Sequence, residues 1–168
     1  NGSQNWTIVA MASMIRMKDD NGDYIDKWMA IYHGYDYYNY KTYLTFDENG
    51  NEQWSKPELY LDEYREIEGK YGICEVGLFR SPDGERIIGL ARSDKKSPTT
   101  HKSLMFYSDD EGDTWSEPVE LPASLYGERH KMVYDPISGR LVVTFREIVA
   151  DKNGDGVHGG SSDWYAGE

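Results

Sequence analysis

Cysteine is nearly missing from this chain: among 168 residues the one thiol is Cys74. An internal disulfide framework and a cysteine-rich metal knuckle are thereby excluded. Basic charge is scarce as well, with 18 Lys and Arg against 30 Asp and Glu and a formal net charge of −12. Nucleic acids are held by basic patches that release counterions, so this balance argues against them as partners and for a solvated surface. Long apolar runs are absent too. Segments such as 87–91 and 141–145 fall far short of the roughly 20 residues that a membrane helix requires. The opening Asn1-Gly2-Ser3 has neither an initiator Met nor a basic-then-apolar leader, which suggests that processing or truncation removed the true start. What is present suffices for a packed core: 38% of residues are hydrophobic and 14% aromatic, enough for one domain of ordinary size despite a mean hydropathy of −0.76.

Two segments end alike. Trp54-Ser55-Lys56-Pro57 and Trp115-Ser116-Glu117-Pro118 share the pattern W-S-x-P, each after an acidic turn that contains glycine. Ahead of them, residues 27–32, 86–91 and 140–145 read as short β-rich runs of similar shape, and 104–107 as a further strand. Arg80-Ser81-Pro82-Asp83-Gly84-Glu85-Arg86 superposes without a gap on Tyr134-Asp135-Pro136-Ile137-Ser138-Gly139-Arg140, a hairpin turn between a first and a second strand. Lys18 to Asp23 is a longer version. The unit reads strand, turn, strand, long loop, strand, Asp/Gly turn, strand, with a period of roughly 55 to 60 residues. Sustained helical periodicity is lacking, although residues 59–67 could form one helical turn. Radial repetition of four-stranded meanders is how a β-propeller hides its edges. The expectation is an all-β chain forming part of a propeller: about two complete four-stranded blades, residues 5–62 and 70–123, and part of a third, 126–168, in a single segment 1–168. A meander or sandwich with accidental similarity is the alternative.

The turn in the second unit reads Ser108-Asp109-Asp110-Glu111-Gly112-Asp113-Thr114-Trp115. Asp and Ser can cap backbone N–H groups, Gly supplies a positive φ, and Trp covers the junction of the third and fourth strands. This S-x-D-x-G-x-T-W resembles the Asp-box of the sialidase family, with a degenerate copy at Thr45 to Gly50 followed by Trp54. The stretch from Cys74-Glu75-Val76-Gly77 through Arg92 to Gly127-Glu128-Arg129-His130 and Arg146 is similar to bacterial sialidase-like proteins of the BNR-repeat type. Propellers of that family are six-bladed. Asp-boxes also occur in non-sialidase propellers, so the box speaks for fold more than for reaction.

Topology places residues independently of the family. In such a blade the start of the first strand lies at the same end as the finish of the second. The superposition makes Glu75 equivalent to Arg129 and Arg92 to Arg146, with His33 at the matching position of the first unit, so all five are expected at one mouth, opposite the Asp-box turns. Converging arginines repel by roughly 3 kcal/mol per pair at ~6 Å and an effective dielectric of ~20, so an anion is expected among them. Their planar forks suit a carboxylate. Pairing of Arg92 and Arg146 with local acids such as Asp94 and Glu147 is the structural alternative. For Glu75 it is an ion pair with a channel arginine. Cys74 reads as a small buried hydrophobe.

The resemblance implies an exo-acting glycoside hydrolase that removes terminal sialic acid, or a related acidic keto-sugar, from glycans. In that family Glu75 would be the base that activates a Tyr nucleophile and Arg92 a member of the substrate-binding triad, with Arg146 and Arg129 as further candidates. The nucleophilic Tyr and the first triad Arg have no match in this sequence. Asp36 lies in the type of loop that carries the family's acid Asp, and Tyr35 belongs to a tyrosine-dense loop, His33 to Tyr40, suited to stacking on sugars. His33, His101 and His130 read as polar rim residues. Asp151-Lys152-Asn153-Gly154-Asp155-Gly156 begins like a calcium loop but has Ser162 at the twelfth position, so it reads as a surface loop. The implied chemistry needs no metal and no organic cofactor. An acidic glycan and the rest of the propeller are the expected partners, and a secreted, cell-envelope or periplasmic location is implied. A non-catalytic Asp-box propeller that binds glycans or proteins is the competing reading.

Overall fold

The computed structural model describes residues 7–34, 37–65, 72–93 and 103–147. A first sheet contains β1 (Thr7–Lys18), β2 (Tyr24–Gly34), β3 (Asn39–Phe46), β4 (Glu52–Trp54) and β5 (Glu58–Leu59), the last two both paired with β3. One turn of helix, α1 (Asp62–Arg65), follows. The second sheet contains β6 (Ile73–Arg80), β7 (Ile87–Ser93), β8 (Leu104–Ser108) and β9 (Val119–Glu120) in that order. A 3-10 turn, Ala123–Leu125, leads to the paired β10 (Gly127–Tyr134) and β11 (Leu141–Glu147). All these pairings are antiparallel, so the chain is all-β and built of small meander sheets. Among the described residues no helix is long and apolar enough to cross a membrane.

The hairpins close where turn chemistry allows. Gly22, Gly84 and Gly139 have φ of 84°, 80° and 65°, the left-handed region that glycine enters without a Cβ penalty. Asp19 Oδ1 accepts the N–H groups of Asn21 and Asp23, and Asp135 accepts those of Ile137 and Ser138, so the acidic residues cap their own turns.

The serine of W-S-x-P has a specific task. Ser116 N–H donates to Tyr107 O at 2.8 Å while its hydroxyl accepts Tyr107 N–H at 3.0 Å, and Ser55 repeats both bonds with Tyr43 at 2.9 Å. A side chain thus completes the ladder just before a proline that cannot donate. The two tryptophans differ. Trp115 is buried against Tyr60 and Phe106, with ring centroids 5.5 Å away in each case, whereas Trp54 is 45% exposed. The extra residues in the first turn extend β4 and move its Trp out of the core. The unit pattern also anticipated four strands in the first sheet, and there are five, because β3 is long enough to pair with β4 and then β5 across Pro57.

The first strands of the sheets pack together. Ser13 in β1 donates its hydroxyl to Leu78 O and accepts Leu78 N–H, which fastens β1 to β6. On β6, a Cβ placed at Gly77 would sit 2.2 Å from the carbonyl oxygen of His130, so glycine lets the backbones of β6 and β10 touch. The core lies mainly between the first two sheets, around Met29, Ile31, Val76, Ile87, Leu104 and Phe106.

Candidate functional site

Two of these strands carry the same irregularity. Cys74 pairs with Arg92 and Gly77 with Leu90, leaving one extra residue on β6; Glu128 pairs with Arg146 and Lys131 with Thr144, leaving one extra on β10. Each bulge holds a non-glycine residue in the left-handed region, Glu75 at φ 51° and Arg129 at φ 57°. That conformation costs an L-residue roughly 1–2 kcal/mol, and bulges re-aim side chains. The β1–β2 register also breaks, between Val9 and Ser13, opposite the end of β2 where His33 lies.

Around the two bulges an ionic network forms. Arg92 Nη1 is 3.1 Å from Glu128 Oε2 and 3.9 Å from Glu75 Oε1. Arg129 Nε lies 3.7 Å from the same Glu75 oxygen, and Arg146 Nη2 pairs with Glu128 Oε1. The order is Arg129, Glu75, Arg92, Glu128, Arg146. Exposure is graded along it: the side chains of Glu128 and Glu75 are 1% and 8% exposed, whereas those of Arg146 and Arg129 are 34% and 63% exposed. Among the described residues, three guanidiniums face two carboxylates here.

The position of Glu128 follows from backbone contacts. Ser103, fully buried before β8, accepts Gly127 N–H at 3.1 Å and donates to Gly127 O at 3.2 Å, fixing the start of β10. Gly77 permits the close approach of β6 to β10, and Glu128 then reaches Arg92 on the neighbouring sheet. Glu128 is the central acid of the site, and sequence reasoning missed it. The available signal was its place next to Arg129, on the strand that pairs with Arg146. Arg92 finds its partners there and on β6; Asp94 lies outside the described residues, and the side chain of Glu147 is not described. The expected anion among the arginines is supplied in part by the protein itself.

Two histidines expected on the rim are buried. His130 is 1% exposed, stacks on Phe145 at 5.3 Å and has Nε2 3.2 Å from Leu125 O. Burial lowers its pKa from the ordinary 6.5, against the opposing pull of the Leu125 carbonyl and the Glu75 charge. The ring was drawn inward because the β10 bulge turns it onto the β11 aromatic. His33 is buried beside β3, its Nδ1 3.0 Å from Gly34 O, and joins no ion pair in the network. Cys74 is buried, its thiol directed at Arg92 O. Tyr35, Asp36, His101 and the loop from Asp151 lie outside the described residues. Among the described residues no group of three or more His, Cys, Asp or Glu is placed to hold a metal ion.

The turn from Ser108 to Trp115 is tied to other elements. Ser108 Oγ accepts Gly112 N–H at 2.8 Å, and Asp110 accepts the N–H and hydroxyl of Thr114 at 2.9 and 2.6 Å. Glu111 receives Arg80 on both oxygens, at 2.5 and 2.8 Å, and Lys18 N–H at 2.8 Å, so the turn joins the β1 and β6 ends remote from the bulges.

No family model and no curated protein matches the sequence. A solved structure described as an unknown-function protein from Dyadobacter fermentans DSM 18053 is 15% identical, with a TM-score of 0.46. The match covers 80% of this chain and 34% of that one, so the chain spans about a third of that protein's length. A likeness of this size carries no argument about fold or activity.

Proposed function

We propose that this chain is a segment of a sialidase-like β-propeller and that its ionic network receives the carboxylate of an acidic sugar during exo-glycosidic hydrolysis. The observation that carries the reading is the convergence of Arg92, Arg129 and Arg146 on Glu75 and Glu128 at the bulged ends of two first strands. Arg129 and Arg146 are the guanidiniums solvent can reach, and each offers planar donors to a carboxylate. Glu75 brings a buried oxygen, Oε2, without a hydrogen-bond partner among the described residues, as a base that shares a proton with an incoming hydroxyl requires. Left-handed backbone at both Glu75 and Arg129 is the kind of strain that accompanies binding sites. The nucleophile and the acid would come from other blades. Sheets of consecutive antiparallel strands whose first strands pack side by side support the propeller.

A second reading, a non-catalytic Asp-box propeller, draws on Glu128: it already occupies Arg92 and Arg146, as a structural ion pair would. Hydrolysis of a fluorogenic α-sialoside, beside other acidic and neutral glycosides, separates the two. Turnover of an acidic glycoside that disappears in Arg129→Ala supports the enzyme. A folded protein inert towards every glycoside but retaining glycan affinity supports the binder.

A further inference from the structure

Consecutive sheets of this chain pack in one sense. Residues opposite one another across the strands of a sheet share a face, and alternate residues take the other. In the first sheet Ile15 and Met29 turn one face, its back, into the core, where Ile87 and Phe106 on the front of the second sheet join them. The back of the second sheet receives the front of the β10–β11 sheet: the Tyr134 ring lies 5.9 Å from that of Phe79, and the Met132 side chain reaches Gly77. Front on back is thus used twice.

One front and one back are left over. On the first sheet Arg16, Trp28, Leu44 and Trp54 form a row across β1 to β4, on the face away from Ile15 and Met29. On the last, Val133 pairs with Val142 on the face away from Met132 and Tyr134. Equivalent positions elsewhere in the chain show what such residues do when a neighbouring sheet is present. Ser55 and Ser116 make the same bonds to Tyr43 and Tyr107, so Trp54 corresponds to Trp115, and Trp28, opposite Leu44, corresponds to Ile87, opposite Ser108. The hairpin alignment matches Val133 with Phe79. Trp115, Ile87 and Phe79 are 7%, 1% and 8% exposed, whereas Trp54 and Val133 are 45% and 64% exposed and Trp28 is half-buried. An apolar sheet face of this kind is buried against another layer, and exposed patches of it mark contacts. The second sheet stands between the two leftover faces, so one copy does not cover its own front with its own back.

We infer that the front of the first sheet docks on the back of the β10–β11 sheet of a second copy of this chain, head to tail, with Trp28 and Trp54 set against Val133 and Val142. The joint repeats between copies the packing that the chain makes twice within itself, and it is heterologous, each copy using two different surfaces. It stands on how the sheets pack, whatever the ionic network binds. Sedimentation equilibrium tests it in about 0.15 M salt, where repulsion between copies of charge −12 is screened beyond about 8 Å. The expected result is a mass that rises with concentration above the 19.3 kDa of one copy. Trp54→Glu spoils the front and Val133→Glu the back, both at exposed positions, and circular dichroism checks that each variant keeps its strands. Each variant alone should stay at 19.3 kDa, and an equimolar mixture should form a 1:1 pair, because one still offers a back and the other a front. Wild type remaining at 19.3 kDa up to about 0.1 mM overturns the inference and leaves both faces to some other chain. Self-association that survives in Val133→Glu alone, or a mixture that does not pair, also overturns it, since either result means that front does not meet back.

Discussion

Replacing Glu128 by Gln removes one charge and almost no volume, at a side chain 1% exposed between two guanidiniums. At 3.1 Å from Arg92 and an effective dielectric of about 20, the attraction lost is about 5 kcal/mol before solvation. Part of that was already offset by the cost of burying Glu128. What remains after substitution is Arg92, 11% exposed, which has lost its 3.1 Å carboxylate and keeps Glu75 at 3.9 Å. Breaking a buried pair from one side costs about 3–5 kcal/mol. For a domain of this size that corresponds to a fall of roughly 6–20 °C in melting temperature. Thermal unfolding followed by circular dichroism, with urea titration as a second probe, reads it directly. A double-mutant cycle with Arg92→Gln should return a coupling above about 1 kcal/mol, because the second change removes the guanidinium that Glu128 faces. If Glu128→Gln melts within about 2 °C of wild type, the network is not a buried ionic unit and the reasoning fails.

Arg129→Gly should raise stability by about 1 kcal/mol by relieving the left-handed conformation of an exposed residue, while anion affinity falls; chemical denaturation and anion titration check the opposite signs. His130 has a folded pKa below its unfolded 6.5, so its contribution is complete above that pH and is lost as pH falls below it. Stability measured at pH 7.5 and 5.5 should therefore drop with acid in wild type and drop less in His130→Gln; equal slopes refute the assignment. Glu111, raised by burial but held below its ordinary 4.5 by the Arg80 and Lys18 hydrogen bonds, adds a second loss below about pH 4.5. Glu111→Gln should remove that loss from an acid-unfolding curve. Trp115→Ala should cost about 3–5 kcal/mol and Trp54→Ala far less, because only the former fills the core; similar losses in urea unfolding would contradict the difference in burial.

The strands and hairpins were legible because alternating apolar residues and Asp/Gly turns act locally. Gly84 and Gly139 mark equivalent turns, and the one turn of helix at Asp62–Arg65 lies within the stretch that allowed it. The fifth strand was not legible, since two residues after Pro57 have no periodicity of their own. Within the site, Arg92, Arg146, Glu75 and Arg129 could be aligned by counting along the repeat. The role of Glu128 could not, for its partner lies on another sheet and depends on how closely Gly77 lets two backbones approach. The burial of His33 and His130 was hidden for the same reason: packing between sheets, and not sequence spacing, decides which polar side chains are covered. An Arg92→Ala change that spares stability, as a rim arginine would, is not expected of a guanidinium 3.1 Å from a buried carboxylate.

The central claim is that the arginine-rich network receives a sugar carboxylate. Calorimetric titration of the protein with a methyl α-sialoside and with the methyl ester of the same sugar varies that charge alone. The account predicts measurable affinity for the acid that weakens with added salt, and little for the ester. It also predicts that Arg129→Ala abolishes the preference. Equal affinity for acid and ester, or a preference unchanged in Arg129→Ala, would contradict it.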